Sequence, residues 1–229
     1  MLNRVIMKKI EEVECSFMSK RIVSKLIFNA GAMGVGKTSS LIGTHYAYKN
    51  AGFKILLGKP MIDSKGNTKV EARNKQCLET DFLIGENDNI ADIIWERFVD
   101  ADVIIIDEVQ FLKRHHIDEL ADLVYKENKL VICYGLLTDF QEKMFDASIH
   151  LIEVGAELTR ITIPCECGRD RTHNLRLVNG VATFIGEQIV IDGANNVIEY
   201  VSMCGACFNN HKLRVLRRVD PEQYVFDGF

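Results

Sequence analysis

The stretch Gly31-Ala32-Met33-Gly34-Val35-Gly36-Lys37-Thr38 directly follows the apolar run 26–28 and precedes an amphipathic segment. Its glycines allow the backbone to turn so that successive N–H groups face a phosphate, while Lys37 reaches the outer phosphate oxygens and the Thr38 hydroxyl can bind Mg²⁺. The positive N-terminal end of the following helix faces the same anion. The stretch therefore predicts a P-loop that binds ATP or GTP, and a purely structural glycine turn is the weaker interpretation.

Apolar segments on both sides of this loop alternate between strand-like and helix-like patterns. The predicted strands are 25–28, 53–57, 103–106 and 130–134, and the predicted helices are 38–50, 90–99 and 116–127. The stretch between 63 and 79 is polar and rich in Lys, Asn and Gly. Alternation of strands with helices predicts an α/β fold built on a parallel sheet.

Two adjacent carboxylates, Asp107 and Glu108, follow the fully apolar run 103–106. P-loop proteins place a Mg²⁺-ordering carboxylate at the end of a buried strand, which is the role predicted for Asp107. A carboxylate beside the phosphates can accept the proton of an attacking hydroxyl group, so Glu108 is the candidate general base. The alternative for Glu108 is a capping or pairing role at the end of the strand.

Four of the seven cysteines lie in two close pairs near the C-terminus, Cys165 with Cys167 and Cys204 with Cys207. Two pairs separated by about 35 residues can supply four thiolates to one structural Zn²⁺ ion. His211 is an alternative ligand, although a surface histidine is the favoured interpretation. Such a site would stabilise a segment too short to bury a core of its own.

Length and charge restrict the classes of function. The chain has 229 residues and a formal net charge of −4, which gives no general attraction for nucleic acid or anionic lipid. Residues 1–20 lack a long apolar core and contain three glutamates, and no apolar run approaches the ~20 residues needed to span a membrane. The sequence thus predicts a cytoplasmic protein with a small-molecule substrate and without nucleic-acid or membrane partners.

A change of pattern after residue 161, from alternating strands and helices to turns and cysteines, predicts the domain boundaries. We expect an N-terminal extension at 1–20, a P-loop domain at 21–160, a zinc-binding domain at 161–210 and a C-terminal tail at 211–229. Within the third segment, short strands are predicted at 181–185 and 188–191.

The order and spacing of four features resemble the zinc-containing, type II thymidine kinases over about residues 25–208. These features are the glycine loop, the run 107–112, the loop 134–140 and the two cysteine pairs. The resemblance implies a RecA-like P-loop domain followed by a zinc-bearing lasso that closes over the nucleoside. It also implies ATP-dependent phosphorylation of the 5′-hydroxyl of thymidine and of deoxyuridine, a homotetramer, and feedback inhibition by thymidine triphosphate.

The resemblance assigns further residues by position. Glu108 would be the base and Asp107 the carboxylate linked to magnesium. The nucleoside-binding candidates are Gln110, Phe111, Leu136, Phe140, Phe145, Asn174, Arg176 and Tyr200. Core packing is an equally good interpretation of each phenylalanine taken alone, but their clustering after Tyr134 favours a pocket wall.

The sequence departs from the family pattern near the phosphates. Lys65 stands where the family has an arginine, so Lys65 and Arg73 become candidates for the phosphate region, and a lysine cannot bind a phosphate in the bidentate manner of an arginine. Leu137 and Gln141 also replace usual residues. A divergent nucleotide-binding homologue without turnover is therefore the alternative function. A RecA-like ATPase with a nucleic-acid-binding zinc ribbon is a third, but residues 161–210 lack the dense basic and aromatic surface that this needs.

Overall fold

The structure is a computed structural model that describes residues 22–64, 68–98, 100–188 and 197–219. Its first part is a six-stranded parallel sheet with strand order β5-β2-β6-β7-β1-β8. The strands of this sheet are β1 Lys25–Ala30, β2 Ile55–Pro60, β5 Phe82–Ile84, β6 Val103–Ile106, β7 Leu130–Gly135 and β8 Glu157–Arg160. The predicted α/β fold with a parallel P-loop sheet is thus confirmed.

Helices cover both faces of this sheet. They are α1 Lys37–Asn50, α2 Met61–Ser64, α3 Ile90–Phe98, α4 Arg114–Tyr125 and α5 Asp146–Glu153, with a short 3₁₀ helix at Val109–Phe111. The central strand β6 is fully buried, with Ile104 and Ile106 in the core on one face and Val103 and Ile105 in the core on the other. A strand buried on both faces explains the continuous apolar run in the sequence.

The C-terminal module, which we define as the described residues from 161 to 219, contains a second and smaller sheet. Its antiparallel strands have the order β10-β9-β11 and are followed by helix α6. The bounds are β9 His173–Val178, β10 Val181–Thr183, β11 Ile198–Met203 and α6 Gly205–Val219. Helix α6 continues across residue 210, where the domain prediction placed a boundary.

Several predicted elements require correction. The second strand starts at Ile55 rather than residue 53, and helix α4 starts two residues early because the backbone N–H of Lys113 donates to Nδ1 of His116. The polar stretch contains an antiparallel hairpin of β3 Lys69–Glu71 and β4 Cys77–Glu79. Gln188 lies outside any strand, and most of the strand predicted after it falls outside the described residues.

The carboxyl ends of β1, β6 and β7 meet at one edge of the parallel sheet. There the P-loop follows β1, Asp107 and Glu108 follow β6, and the loop 136–145 follows β7. Open α/β sheets bind their ligands at this edge. None of the helices in the described part of the chain is both long enough and apolar enough to cross a bilayer.

Candidate active site

The P-loop closes around the side chain of Lys37. The Lys37 Nζ atom donates hydrogen bonds to the carbonyl oxygens of Gly31 and Ala32, at 3.1 and 3.0 Å. Gly34 and Gly36 adopt φ values of 73° and 95°, and Gly36 is the N-cap of α1. Because left-handed backbone disfavours side chains, these two glycines let the loop turn into the helix. This arrangement directs the loop and the N-terminus of α1 toward a single anion site.

Burial lowers the pKa of the Lys37 ammonium group, and the negative charges of Glu108 and Asp107 act in the opposite direction. The same three groups are therefore electrostatically coupled across the edge of the sheet. Phosphate oxygens at the loop would favour the charged form of Lys37 in the same way as these carboxylates do.

Glu108 is held in an uncommon backbone conformation directly after the sheet. Its φ of 48° lies in the left-handed region, and its backbone N–H donates to Oδ1 of Asp107 at 3.0 Å. The Nε2 atom of the buried Gln110 donates to Oε2 of Glu108, and Oε1 of Gln110 accepts the backbone N–H of Leu136. Gln110 thus fixes the orientation of the Glu108 carboxylate relative to the loop after β7.

A single cavity of about 520 Å³ joins the P-loop to an apolar pocket. Its size lies within the range usual for small-ligand sites. The predicted residues that line it are Met33, Gly34, Gly36, Lys37, Thr38, Arg73, Glu108, Gln110, Phe111, Leu136, Phe140, Phe145, Asn174 and Tyr200. Glu108 therefore shares one cavity with the phosphate loop and with the aromatic side chains.

The remaining candidates lie outside the wall of this cavity. Gly31, Ala32 and Val35 form the back of the P-loop, and Asp107 is buried beneath Glu108 at the end of β6. Lys65 lies outside the described residues, so its predicted role stays a prediction. Arg176 is buried behind Phe140.

Asn174 connects the C-terminal module to the P-loop. Its Oδ1 accepts the backbone N–H of Met33 at 2.7 Å, and its Nδ2 donates to the carbonyl oxygen of Thr138 at 3.2 Å. Its amide thus holds two segments of the cavity wall together, in addition to lining the cavity itself.

Arg73 approaches the P-loop from the hairpin formed by β3 and β4. A Cβ atom on Gly34 would lie 2.6 Å from Nη2 and 2.9 Å from Cζ of Arg73, so the guanidinium packs directly on this glycine. Val70 and Ala72 of the hairpin are buried in the core, and this anchors the turn that carries Arg73. The structure thus brings Arg73 to the phosphate region, where the sequence placed it as a candidate.

Five polar residues of the cavity wall were not predicted as site residues, namely Ser39, Glu71, Asn74, Asp139 and Gln188. The Asp139 carboxylate accepts the backbone N–H groups of Gln141 and Lys143, and its Oδ2 accepts Nε2 of Gln188 at 3.1 Å. The pairing spans 49 positions along the chain, so no local pattern could reveal it. The only local signal was an aspartate at a loop start, where it typically caps backbone N–H groups.

The four predicted cysteines converge. The Sγ atoms of Cys165, Cys167, Cys204 and Cys207 all lie within 4.8 Å of one another. Tetrahedral Zn²⁺ with Zn–S bonds of about 2.3 Å places its sulfur atoms about 3.8 Å apart. The Cys165–Cys207 and Cys167–Cys204 distances of 3.9 and 3.3 Å are close to this value. A hydrogen bond from the backbone N–H of Arg169 is the main cause that lowers the pKa of Cys167 to about 6.

Fold and cavity together define a P-loop protein with an apolar pocket beside the phosphate loop. The sequence matches the family described as thymidine kinase over residues 24–208. Thymidine kinases from Legionella pneumophila (strain Lens), Enterobacteria phage T4 and Xanthomonas axonopodis pv. citri (strain 306) are each 32% identical to this chain. The alignments cover 80%, 82% and 88% of this chain and 88%, 96% and 96% of those proteins.

The chain belongs to the thymidine kinase family, and it is an enzyme of the kinase class. Among solved structures, AMPPCP-bound DnaA from Aquifex aeolicus matches with a TM-score of 0.37 and 18% identity. That match covers 69% of this chain and 46% of the DnaA chain. Its TM-score is too low to establish a common fold. No observation favours the alternative of a non-catalytic homologue.

Proposed function

We propose that this protein transfers the γ-phosphoryl group of ATP to the 5′-hydroxyl of thymidine and of deoxyuridine. The observation that carries the proposal is the continuity of one cavity from the P-loop, past Glu108, to the aromatic pocket. A nucleoside in the pocket would present its 5′-hydroxyl toward the phosphates at the position of Glu108. Membership of the thymidine kinase family supports this choice of acceptor.

On the donor side, the P-loop binds the phosphates of ATP. Backbone N–H groups of residues 33–38 and the N-terminus of α1 surround the β-phosphate, and Lys37 neutralises the outer oxygens. Arg73, packed on Gly34, supplies a guanidinium for the transferred phosphoryl group. Charge neutralisation and positioning are expected to provide most of the rate enhancement.

On the acceptor side, Glu108 removes the proton. The 5′-oxygen forms a bond with the γ-phosphorus as the bond to the β–γ bridging oxygen breaks, and ADP leaves. The hydroxyl proton passes to the Glu108 carboxylate, whose orientation is fixed by Gln110. Phe111 and Phe145 meet edge to face with ring centroids 6.3 Å apart, and Phe140 and Leu136 complete the apolar wall for the flat pyrimidine.

Two metals fit the residues present. The Thr38 hydroxyl lines the cavity and the Asp107 carboxylate follows β6, and both are oxygen donors of the kind that Mg²⁺ prefers. Mg²⁺ bound there would neutralise charge that develops on the phosphates. The four convergent thiol groups fit one structural Zn²⁺ ion. A homotetramer, which the resemblance implies, and a cytoplasmic location, which the sequence predicts, are part of the proposal, and light scattering and cell fractionation test them.

The direct test is phosphoryl transfer from radiolabelled ATP with Mg²⁺ to thymidine, beside deoxyuridine, deoxycytidine and a reaction without acceptor. The Glu108→Gln variant should bind ATP but lose turnover by roughly 100-fold or more. Glu71→Gln is a matched control, because Glu71 lines the same cavity from the hairpin. If Glu71→Gln rather than Glu108→Gln loses turnover, the base is Glu71. If the wild-type protein transfers nothing to thymidine, the proposed function is wrong.

A further inference from the structure

Arg176 is an unusually placed cation. Only 2% of its surface is exposed, yet no carboxylate pairs with it among the residues that the structure describes. Instead, its Nε donates to the Tyr200 hydroxyl at 2.9 Å, and Nη1 and Nη2 donate to the carbonyl oxygens of Glu187 and Gln188 at 2.8 and 3.2 Å. Its guanidinium carbon also lies 3.5 Å from the centroid of the Phe140 ring.

These contacts bring together four separate segments of the chain. Arg176 projects from β9, Tyr200 lies opposite it on β11, and residues 187 and 188 belong to the segment that connects β10 to β11. Phe140 belongs to the core loop after β7. A guanidinium can hold all four partners at once because its donors form a rigid planar fork and its face stacks on an aromatic ring.

A second set of hydrogen bonds joins the segment 184–188 to the loop after β7 without involving Arg176. Nε2 of Gln188 donates to Asp139, and Nε2 of Gln141 donates to the carbonyl oxygen of Phe184 at 3.2 Å. The segment 184–188 is therefore fixed to the loop 139–141 at several points. Gln188, Tyr200 and Phe140 line the acceptor side of the cavity, whereas Arg176 stands behind them.

Burial of an unpaired guanidinium is costly unless its hydrogen bonds are satisfied. In this structure, backbone carbonyl groups of the segment 187–188 accept two of these hydrogen bonds. Burial of the guanidinium is therefore favourable only when this segment stays in place. A methionine of similar length could fill the space and stack on Phe140 but could not hold two carbonyl groups.

We propose that Arg176 is a positioning residue for the nucleoside acceptor: it holds the backbone at 187–188 and the rings of Phe140 and Tyr200 in the arrangement that binds the pyrimidine. This inference rests on the proposed function. It assigns to Arg176 an action through its neighbours, without contact with the nucleoside.

The test is a comparison of the Michaelis constants for the two substrates. Arg176→Met should raise the KM for thymidine by roughly tenfold or more, because small misplacements of binding groups are costly. The KM for ATP should stay within about twofold, since Arg176 touches no part of the P-loop. Arg176→Lys keeps the charge over Phe140 but not the fork, so it should restore only part of the affinity for thymidine.

Arg214→Met serves as the matched control, because Arg214 is exposed on α6 in the same module. It should leave both constants unchanged. A general structural role for Arg176 predicts instead that the KM values for ATP and thymidine change together and that zinc content falls. That result, or a thymidine KM within twofold of wild type in both Arg176 variants, overturns the inference. Absence of thymidine phosphorylation in the wild-type protein would contradict the proposed function instead.

Discussion

The parallel sheet and the C-terminal module achieve order by different means. In the sheet, every residue of β6 is 0% exposed and every residue of β7 is buried, so this part has an extensive apolar core. In the module, the buried cluster among the described residues consists of Leu175, Met203, Phe208 and two of the four converging cysteines. The cavity lies between a part with a large apolar core and a part with a small one.

The parallel sheet and the C-terminal module contribute different residues to the site. The sheet carries the P-loop, Asp107 and Glu108, whose positions must be rigid for phosphoryl transfer. The module supplies one wall of the cavity through Asn174, Gln188 and Tyr200. Stability experiments should therefore separate the two.

Removal of the proposed Zn²⁺ ion is the largest expected perturbation of the module. Structural zinc sites in small domains contribute about 10 kcal/mol or more to folding. Treatment with a strong chelator should abolish hydrogen-exchange protection in β9, β10 and β11 while β6 and β7 remain protected. ATP binding should persist and thymidine binding should be lost.

A Cys77→Ser variant provides the control for metal removal, because Cys77 is exposed on the hairpin and lies apart from the four-cysteine cluster. It should retain about one zinc per chain. Equal loss of protection throughout the chain after chelation would show that the two parts fold as one unit, which would contradict the comparison.

Truncation of a buried side chain should destabilise the sheet much more than truncation of an exposed side chain destabilises the C-terminal module. Ile105 is fully buried on β6, between Leu57 of β2 and Ile132 of β7. Ile105→Ala should lower the free energy of unfolding by about 2–5 kcal/mol, through lost transfer free energy and a cavity. Urea denaturation followed by circular dichroism measures this. Val201→Ala on β11, where 41% of the side chain is exposed, should cost less than about 1 kcal/mol.

The same contrast explains how much the sequence could predict. The strands β1, β6 and β7, the P-loop, the Asp107–Glu108 pair and the four cysteines were all predicted, because each depends on a local run or on a fixed spacing. The strand β8 was missed because its four residues are all exposed, which gives no apolar signal. Similarly, β9 and β11 alternate weakly, and they pair although β10 and a long connection separate them along the chain.

Features that depend on distant pairs could not be predicted. The position of Arg176 behind Phe140 and the bond between Asp139 and Gln188 arise only after the module packs on the sheet. Resemblance to a family placed Arg176 near the nucleoside but could not distinguish contact from support. The polar composition of residues 63–79 gave no sign of the strands β3 and β4. The burial of Val70 and Ala72 in the structure shows that this hairpin is part of the core.

Two glycine substitutions in the sheet domain, one in the P-loop and one in α1, test the backbone conformation of the P-loop. Gly34→Ala places a side chain at φ 73° and within 2.6 Å of Arg73, so it should cost about 1–2 kcal/mol and weaken ATP binding. Gly43→Ala is the matched control, because Gly43 lies in α1 with open space around it. That change should be neutral or stabilising by about 0.5–1 kcal/mol. Isothermal calorimetry with ATP and thermal unfolding measure both, and equal effects would contradict the packing of Arg73 on Gly34.

The smallest expected effect concerns the surface of the sheet domain, where charge rather than burial acts. Partial burial of His150 on α5 opposes its charge, but hydrogen bonds to Glu153 and to Asp118 of α4 outweigh this and raise its pKa. Its contribution to stability is then present below the ordinary histidine pKa and is lost as pH rises through the raised value. Between about pH 6 and 9 the wild-type protein should therefore lose about 1–3 °C of melting temperature relative to His150→Gln, since half-exposed partners are screened by solvent. Hydrogen exchange should assign this change to α4 and α5 while the C-terminal module stays the same. A matching loss in β9–β11 would mean that the module depends on the surface of the sheet domain as well as on its own cysteines.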